Sequence, residues 1–267
     1  MKKRKIVLTI LCIFITIILS VIAYDRLTIN NKYGINEANI NIPIFVYHNI
    51  VNDSSEIEYE YMQTTQNVFE EQIKGLKALG YNFITYDDLV KFYNNEIKLS
   101  KKSCILTFDD GYEGVYKNAY PIAQKYNIPF TMYIITENMN TEGVITWEQA
   151  REMQESGLVT IASHSIDHPE FTSLSTEEAV DNVNNSYKII EENLGKQVHK
   201  IFTYPYGLYK EEQIIALEKE GYIQNLTDNM INKSKALNLS KLHRCYPLDY
   251  SIYKMVLKII YRTIRYN

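Results

Sequence analysis

Two short motifs combine side chains that bind divalent metal ions and move protons. TFDDG contains the adjacent carboxylates Asp109 and Asp110, and HSIDH contains the imidazoles of His164 and His168, four residues apart. Neighbouring residues on an extended chain point to opposite sides, so one carboxylate can ligate a metal while the other accepts a proton. Two imidazoles and a carboxylate form a three-ligand site that leaves a position open for water. The alternatives are an Asp-Gly turn and ordinary surface or packed histidines.

A third motif, TYPYG, contains a backbone group suited to a developing negative charge. Pro205 fixes one backbone angle and Gly207 permits unusual ones, so the peptide N–H of Tyr206 can be held toward a site as an oxyanion donor. An ordinary Pro-Gly turn is the alternative explanation, and the motif carries weight only together with the other two.

Each motif follows a short apolar run rich in β-branched or aromatic residues, which is typical of a buried strand. Helical patterns separate these runs, and the alternation predicts a parallel sheet with crossover helices, either doubly wound or barrel-like. Parallel sheets carry their sites at the carboxyl ends of the strands, so Asp109, His164 and Tyr206 are expected to meet at one rim. The predicted strands are 42–47, 104–108, 130–135, 158–162 and 201–204.

Local signals predict where several helices lie. Apolar residues at helical spacing run from 69 to 79, and capping boxes occur at 146–149 and 175–178. A further amphipathic helix is predicted over 250–264.

The composition limits the classes of protein to which the chain can belong. The chain has 267 residues, of which 46% are hydrophobic and 22% charged, as expected of an ordinary globular domain. Its formal net charge is -4 and no basic block follows the first few residues, so nucleic acid is not an expected partner. Cys104 and Cys245 either form one disulfide or are two buried thiols, and the apolar run around Cys104 favours the thiols.

The N-terminal segment has the pattern of a targeting element. Basic residues at 2–5 precede an uncharged apolar run from 6 to 23. Its length is nearer to the roughly 20 residues of a spanning helix than to the roughly 7 to 15 of a secretory segment. We expect a membrane anchor at 1–23, a linker at 24–41 and a domain at 42–267 that lies outside the cytoplasm. Cleavage before Tyr24, which would release a secreted protein, is the alternative.

The ordered set TFDDG, HSIDH and YPYG is similar to the polysaccharide deacetylase family, also called the NodB-homology or carbohydrate esterase family 4 group. The resemblance extends from about Ile42 to the final helix. The segment IPIFVYHN at 42–49 also resembles the opening strand of members that act on extracellular glycans, including deacetylases of poly-β-1,6-N-acetylglucosamine.

This resemblance implies a distorted (β/α) barrel with fewer than eight complete units. It also implies that Asp110, His164 and His168 bind a divalent metal, usually zinc, and that Asp109 is the general base. The Tyr206 N–H would stabilise the oxyanion.

The chain departs from the family pattern in two places. Many members have an Arg two residues before the Pro of the third motif, where this chain has Thr203. A late segment, LHRCYP, resembles the closing motif of a subgroup, and we expect its Arg244 to reach Asp109 in place of the missing Arg. The neighbouring His243 is the candidate general acid, with a surface histidine as the alternative, and His48 is either a rim residue or a packed strand residue.

The expected activity is removal of N-acetyl groups from an N-acetylglucosamine polymer, either a secreted adhesive polysaccharide or a cell-wall glycan. The same machinery suits an O-acetyl esterase, and a glycan-binding surface protein without turnover is the alternative from another class. Fold alone does not decide between these functions.

Overall fold

Parallel strands form the centre of the structure, a computed structural model that describes residues 40–247 and 251–265. The strands in chain order are β1 (Asn41–Ile42), β2 (Ile44–Tyr47), β3 (Asn49–Val51), β4 (Gln63–Thr65), β5 (Asn82–Phe83), β6 (Ser103–Phe108), β7 (Phe130–Ile134), β8 (Val159–Ser163), β9 (Ile201–Thr203), β10 (Ile223–Thr227), β11 (Asn232–Lys233) and β12 (Leu242–Arg244). The α-helices are α1 (Gln66–Ala78), α2 (Tyr86–Tyr93), α3 (Tyr120–Tyr126), α4 (Trp147–Glu155), α5 (Thr176–Leu194), α6 (Glu211–Lys219) and α7 (Ile252–Arg265).

The main sheet is a nearly closed barrel. Its strands follow one another in the order β2, β6, β7, β8, β9, β10, β12, all parallel, and β5 pairs with the start of β6. The two ends of this order meet, since the Val46 N–H donates to the Cys245 carbonyl at 3.0 Å and the Cys245 N–H donates to the Ile44 carbonyl at 2.9 Å. Of the two predicted architectures, the barrel is therefore the one that forms.

All five predicted strands are present, with boundaries shifted by no more than two residues. Strands β10 and β12 were not predicted, because polar residues interrupt their apolar pattern. Asn225 and Arg244 are nevertheless wholly buried and hydrogen-bonded inside the barrel, and Gln224, on the opposite face of β10, is wholly buried and bonded to Tyr204 and to α6. Strands whose side chains are polar where they face the barrel interior lack the continuous hydrophobic run that predicts a buried strand.

The capping boxes fix the starts of two helices. In α4 the Thr146 hydroxyl accepts from the Gln149 N–H, and in α5 the Ser175 hydroxyl accepts from the Glu178 N–H, with both reciprocal bonds present. Both predicted starts are confirmed. Such caps satisfy backbone donors that have no partner within the helix.

An aromatic cluster packs α1 against the barrel wall. Phe108 stacks on Tyr47 at a centroid distance of 5.3 Å, and Phe69 of α1 meets both rings edge-on. The buried Tyr47 hydroxyl donates to Gln72 Oε1 at 2.7 Å, which supplies the partner that a buried phenol requires. The carboxyl ends of β2 and β6 are thereby held in register beneath the rim.

Cys104 and Cys245 are free, buried thiols, as the apolar surroundings predicted. The apolar run at 6–23 and most of the predicted linker lie outside the described residues. Within the described part of the chain, no helix is long and apolar enough to cross a membrane.

The predicted C-terminal helix is α7, and it packs on α1 at a glycine. A Cβ on Gly75 would lie 2.3 Å from Cγ1 of Ile252 and 3.0 Å from its Cβ. Rotation about χ1 moves Cγ1 but not Cβ, so the 3.0 Å contact remains in every rotamer of Ile252. Gly75 therefore sets the approach of the two helices.

We expect Gly75→Ala to destabilise the protein, since overpacking costs about 1–3 kcal/mol and exceeds the gain in helix propensity of roughly 1 kcal/mol. In an Ile252→Ala background the contacts with Cγ1 and Cδ1 are absent and only the 3.0 Å contact with Cβ remains, so the same substitution should destabilise the protein less. The free energy of unfolding in urea, measured for the four combinations, checks this coupling between the two positions. Stabilisation by Gly75→Ala alone would contradict the described contact.

Candidate metal centre and active site

The three sequence motifs meet at the carboxyl ends of the barrel strands. Asp110 follows β6, and His164 and His168 follow β8. The Nε2 atoms of His164 and His168 lie 3.4 and 3.6 Å from Oδ1 of Asp110, and the three potential ligand atoms all lie within 4.8 Å of one another. A divalent cation needs this kind of convergence.

The hydrogen bonding of the triad fits a metal site. Nδ1 of His164 lies 2.9 Å from the carbonyl oxygen of Thr203, which only accepts, so Nδ1 carries the proton and the Nε2 lone pair faces Asp110. Oδ1 of Asp110 is buried without a hydrogen-bond partner. A buried carboxylate oxygen without a donor is costly unless a cation satisfies it. Asp110, His164 and His168 are therefore a suitable donor set for a divalent metal ion.

Left-handed backbone conformations are concentrated in the same motifs. Among the described residues, asparagines aside, the non-glycine residues with positive φ are Asp110 (72°), Ser165 (75°), His168 (58°) and Tyr206 (58°). Such conformations cost roughly 1–3 kcal/mol each and persist where the surrounding structure enforces them, commonly at functional sites. The Ser165 hydroxyl enforces one of them by accepting from the His168 N–H at 2.9 Å.

Asp109, beside the triad, forms a bidentate pair with Arg244. Nη1 and Nη2 of the arginine donate to Oδ1 and Oδ2 at 2.7 and 2.8 Å. Arg244 is wholly buried, and it also donates to the hydroxyls of Thr107 and Thr227 at 3.2 and 2.8 Å. The contact predicted between Arg244 and Asp109 is thus present, although the two residues are far apart in the sequence.

The ion pair decides the charge of Asp109. Burial acts to raise the pKa of this carboxyl, but the charge and hydrogen bonds of Arg244 outweigh burial and lower the pKa to about 2. Asp109 therefore stays ionised inside the barrel. For His164 likewise, burial acts to lower the pKa, but the carboxylates of Asp110 and Asp109 outweigh it and hold the pKa above its ordinary value.

A ring of hydrogen bonds that the sequence did not predict supports the arginine. The Arg244 guanidinium lies over the ring of Tyr133, with Cζ 5.1 Å from the centroid. The Tyr133 hydroxyl donates to the Tyr86 hydroxyl, which donates to Asn225 Oδ1, and Asn225 Nδ2 donates back to Tyr133. These residues come from α2, β7 and β10, and no local pattern connects them.

His48 also belongs to the site. It directly follows β2, is buried, and stacks on Tyr246 with 6.0 Å between the ring centroids. Burial lowers the pKa of His48, and the charges of Asp109 and Asp110 act in the opposite direction. Its Nδ1 is buried and has no hydrogen-bond partner among the described residues.

The structure does not bring His243 to this group. Successive residues of a strand point to opposite faces, and since Arg244 of β12 points into the barrel, His243 points away from it. Its Nδ1 lies 2.6 Å from Oδ2 of Asp228 instead. Tyr206 is at the rim, with its ring edge-on to His168 at 4.4 Å and 65% exposed.

Comparison with known proteins identifies the family. The family model described as "Polysaccharide deacetylase" matches residues 96–224. The Bacillus subtilis protein YxkH, whose name places it among the polysaccharide deacetylases, is 32% identical over 203 residues, 76% of this chain and 70% of the relative. The chain belongs to the polysaccharide deacetylase family.

Two further members of the family are similar over more of their length. A poly-β-1,6-N-acetyl-D-glucosamine N-deacetylase of Staphylococcus aureus is 31% identical over 249 residues, 83% of this chain and 84% of that relative. The Streptococcus pyogenes deacetylase PplD, solved in complex with acetate, superimposes with a TM-score of 0.75 and 25% identity, covering 83% of this chain and 99% of that one. The barrel expected from the resemblance is confirmed.

Removal of Arg244 tests the energetic role of the buried pair. Arg244→Met leaves the Asp109 carboxylate buried and unpaired, so it should lower the free energy of unfolding by about 3–5 kcal/mol. Adding Asp109→Asn removes the unpaired charge, and the double variant should be more stable than Arg244→Met alone. Urea denaturation of the single and double variants measures the coupling.

A matched control is the surface pair of Lys125 and Glu70, whose side chains are 60% and 21% exposed and 2.7 Å apart. The cycle of Lys125→Met and Glu70→Gln should give a coupling below about 1 kcal/mol. Equal coupling energies for the two pairs would contradict the buried environment assigned to Asp109.

Proposed function

We propose that this chain removes N-acetyl groups from an extracellular N-acetylglucosamine polymer, with poly-β-1,6-N-acetylglucosamine or a cell-wall glycan as substrate. The proposal rests on one observation. The triad of Asp110, His164 and His168 lies beside an ionised Asp109 at the rim of a barrel of the polysaccharide deacetylase type. The Staphylococcus aureus relative, named for poly-β-1,6-N-acetyl-D-glucosamine, supports the substrate class. The products are acetate and a glycan with a free amine.

The metal we propose for the triad is zinc. Two imidazole nitrogens and one carboxylate form a common set of zinc ligands, and three protein ligands leave a position for water or substrate. When bound, such an ion supplies Lewis-acid polarisation of the acetyl carbonyl and acidifies water at the site. The Thr203 carbonyl fixes the His164 ring for this role through its bond to Nδ1.

Asp109 is the general base in this proposal. It accepts a proton from the water that adds to the acetyl carbon, which requires a carboxylate that is ionised and fixed in position. Arg244 supplies both conditions, because its two parallel bonds hold the carboxylate in one plane and keep it charged. Tyr133, under the guanidinium, positions Arg244 and acts on the reaction only through it.

The carbonyl oxygen becomes negatively charged when water adds to the carbon, and the Tyr206 N–H is the proposed backbone donor to it. Its left-handed conformation in the Pro205–Gly207 turn directs this segment toward His168. A fixed donor of this kind stabilises an oxyanion without reorganisation during the reaction.

Cleavage of the C–N bond requires a proton on the departing amine. We propose the protonated form of His48 as the donor, because the charges of Asp109 and Asp110 favour that form against the effect of burial, and its Nδ1 has no hydrogen-bond partner among the described residues. His243, which the sequence suggested, lies against Asp228 on the outer face of β12. The variants described below distinguish the two histidines.

We also propose that the N-terminal segment holds the domain at the outer face of the cell membrane as a single-pass anchor, with a cleaved signal and a secreted protein as the alternative. The support is the basic flank at 2–5 and the apolar run at 6–23.

Acetate release from β-1,6-linked N-acetylglucosamine oligomers tests the proposed activity. The zinc-loaded protein should release acetate, chelator should abolish release, and added zinc should restore it. Asp109→Asn should lower kcat by about 10²- to 10⁴-fold, the range expected for general-base catalysis. Acetylated xylan is the control substrate. Release from xylan alone would identify an O-acetyl esterase, and release from neither would overturn the assignment as an enzyme.

A pair of histidine variants tests the proton donor. His48→Gln should lower kcat by about 10²-fold or more with little change in KM, because loss of an acid affects the transition state more than binding. His243→Gln should retain kcat within about twofold. Steady-state kinetics with zinc content measured for each variant checks this, since lost metal would imitate lost catalysis. A larger loss of kcat in His243→Gln than in His48→Gln would identify His243 as the proton donor.

A further inference from the structure

Helix α5 contacts the histidine loop, residues 164–168, which carries two of the three potential metal ligands. Ser165 and His168 in this loop have left-handed backbones, with φ of 75° and 58°. Side chains other than glycine rarely adopt this conformation, so contacts from the surrounding structure must maintain it. Asn182 and Ser186, one helical turn apart on α5, supply such contacts.

Ser186 closes a cycle of hydrogen bonds around Ser165. The wholly buried Ser186 hydroxyl donates to the Ser165 carbonyl at 3.1 Å, and its oxygen lies 2.8 Å from Oγ of Ser163. The single proton of Ser186 is used on the carbonyl, so the Ser163 hydroxyl is the donor in the second bond. Ser163 in turn accepts from the Ser165 N–H at 3.2 Å. Both backbone polar groups of Ser165 are thereby connected to α5.

Packing alone does not explain a serine at this position. The same buried face of α5 places Ala179, Val183 and Ile190 in the core, where they need no polar partner. A buried hydroxyl is tolerated when it is hydrogen-bonded, and both bonds of Ser186 lead to the end of β8 and the loop that follows it. A helix of 19 residues that begins with a capping box is also a rigid support for such a contact.

Asn182 satisfies the next backbone donor of the histidine loop. Its Oδ1 accepts from the Ile166 N–H at 3.0 Å, and its Nδ2 donates to Oδ1 of Asp167 at 2.9 Å. Because an N–H only donates and a carboxylate only accepts, these partners fix the orientation of the amide. The side chain therefore bridges two consecutive residues that lie between the two histidines.

We propose that Asn182 and Ser186 are positioning residues, which hold the histidine loop in the conformation that binds the metal ion. Their bonds reach the loop backbone and Asp167, so they act on the metal only through the loop. His168 depends on them most, because its N–H is bonded to the Ser165 hydroxyl and a displaced Ser165 would displace it. The inference rests on the metal site of the proposed function and adds to it residues from outside the three motifs.

The zinc affinity of the full chain, measured by competition with a chromophoric chelator, tests this role. Asn182→Ala and Ser186→Ala should each weaken zinc binding by about tenfold or more, because loss of the groups that orient metal ligands typically costs about 10- to 100-fold in affinity. Substrate is absent from this measurement, so its result does not depend on turnover.

Two matched controls remove comparable hydrogen bonds elsewhere. Asn184→Ala, on the same helix, loses the bond that Asn184 accepts from the Tyr222 hydroxyl at 2.9 Å. Ser103→Ala, at the buried amino end of β6, loses the bond that Ser103 donates to the Ser100 carbonyl at 3.1 Å. Both controls should keep the zinc affinity of the parent protein.

Cobalt(II) in place of zinc reports the geometry of the site separately from its affinity. In proteins saturated with cobalt, the visible absorption bands of Asn182→Ala and Ser186→Ala should differ from those of the parent, and the bands of both controls should superimpose on them. A merely structural role would lower the urea midpoint of the metal-free protein without changing the zinc affinity or the cobalt spectrum.

Zinc affinities and cobalt spectra that match the parent in both α5 variants would overturn the proposal. If Ser186→Ala does not fold, Asn182→Ala decides alone, since Asn182 is only partly buried. The deacetylase activity would fail by a different result, a parent protein that binds zinc and releases no acetate, and the order of the zinc affinities would still decide the role of α5.

Discussion

The buried ion pair between Arg244 and Asp109 is the constraint around which the barrel interior is organised. An arginine with no solvent exposure must have its charge compensated within the fold, and here both terminal nitrogens are hydrogen-bonded while Nε has no hydrogen-bond partner among the described residues. Asp109 neutralises it, the hydroxyls of Thr107 and Thr227 accept further hydrogen bonds, and the Tyr133 ring covers one face of the guanidinium. These partners come from β6, β7 and β10, so the pair and its shell join the last strand to the opposite wall of the barrel.

Two adjacent carboxylates acquire different properties from this arrangement. Both oxygens of Asp109 accept from the arginine, whereas Oδ1 of Asp110 is buried without a hydrogen-bond partner and faces two imidazoles. One is therefore a fixed anion that is already balanced, and the other is a ligand oxygen that needs a cation. The difference arises just beyond the end of β6, where the left-handed backbone of Asp110 places its carboxylate against the imidazoles while that of Asp109 stays on the arginine.

Local patterns in the sequence predicted much of the fold and the metal triad, since strand runs, capping boxes and the TFDDG and HSIDH motifs are short-range features. Strands β10 and β12 escaped prediction because their interior side chains are polar. The support under Arg244 from Tyr133 depends on contacts between distant segments, which no local pattern contains. The orientation of His243 could have been predicted from the sequence. Arg244 was expected to point inward, and alternation along a strand places its neighbour on the other face.

The left-handed backbone at four residues of the site lowers the stability of the fold. These residues are Asp110, Ser165, His168 and Tyr206. At these positions glycine would relieve the strain, so replacing the native side chain with glycine would remove chemistry and relax the backbone together. Selection for heat resistance alone would therefore favour inactive descendants. A lineage that no longer needed the reaction would be expected to lose these side chains early while keeping the barrel intact.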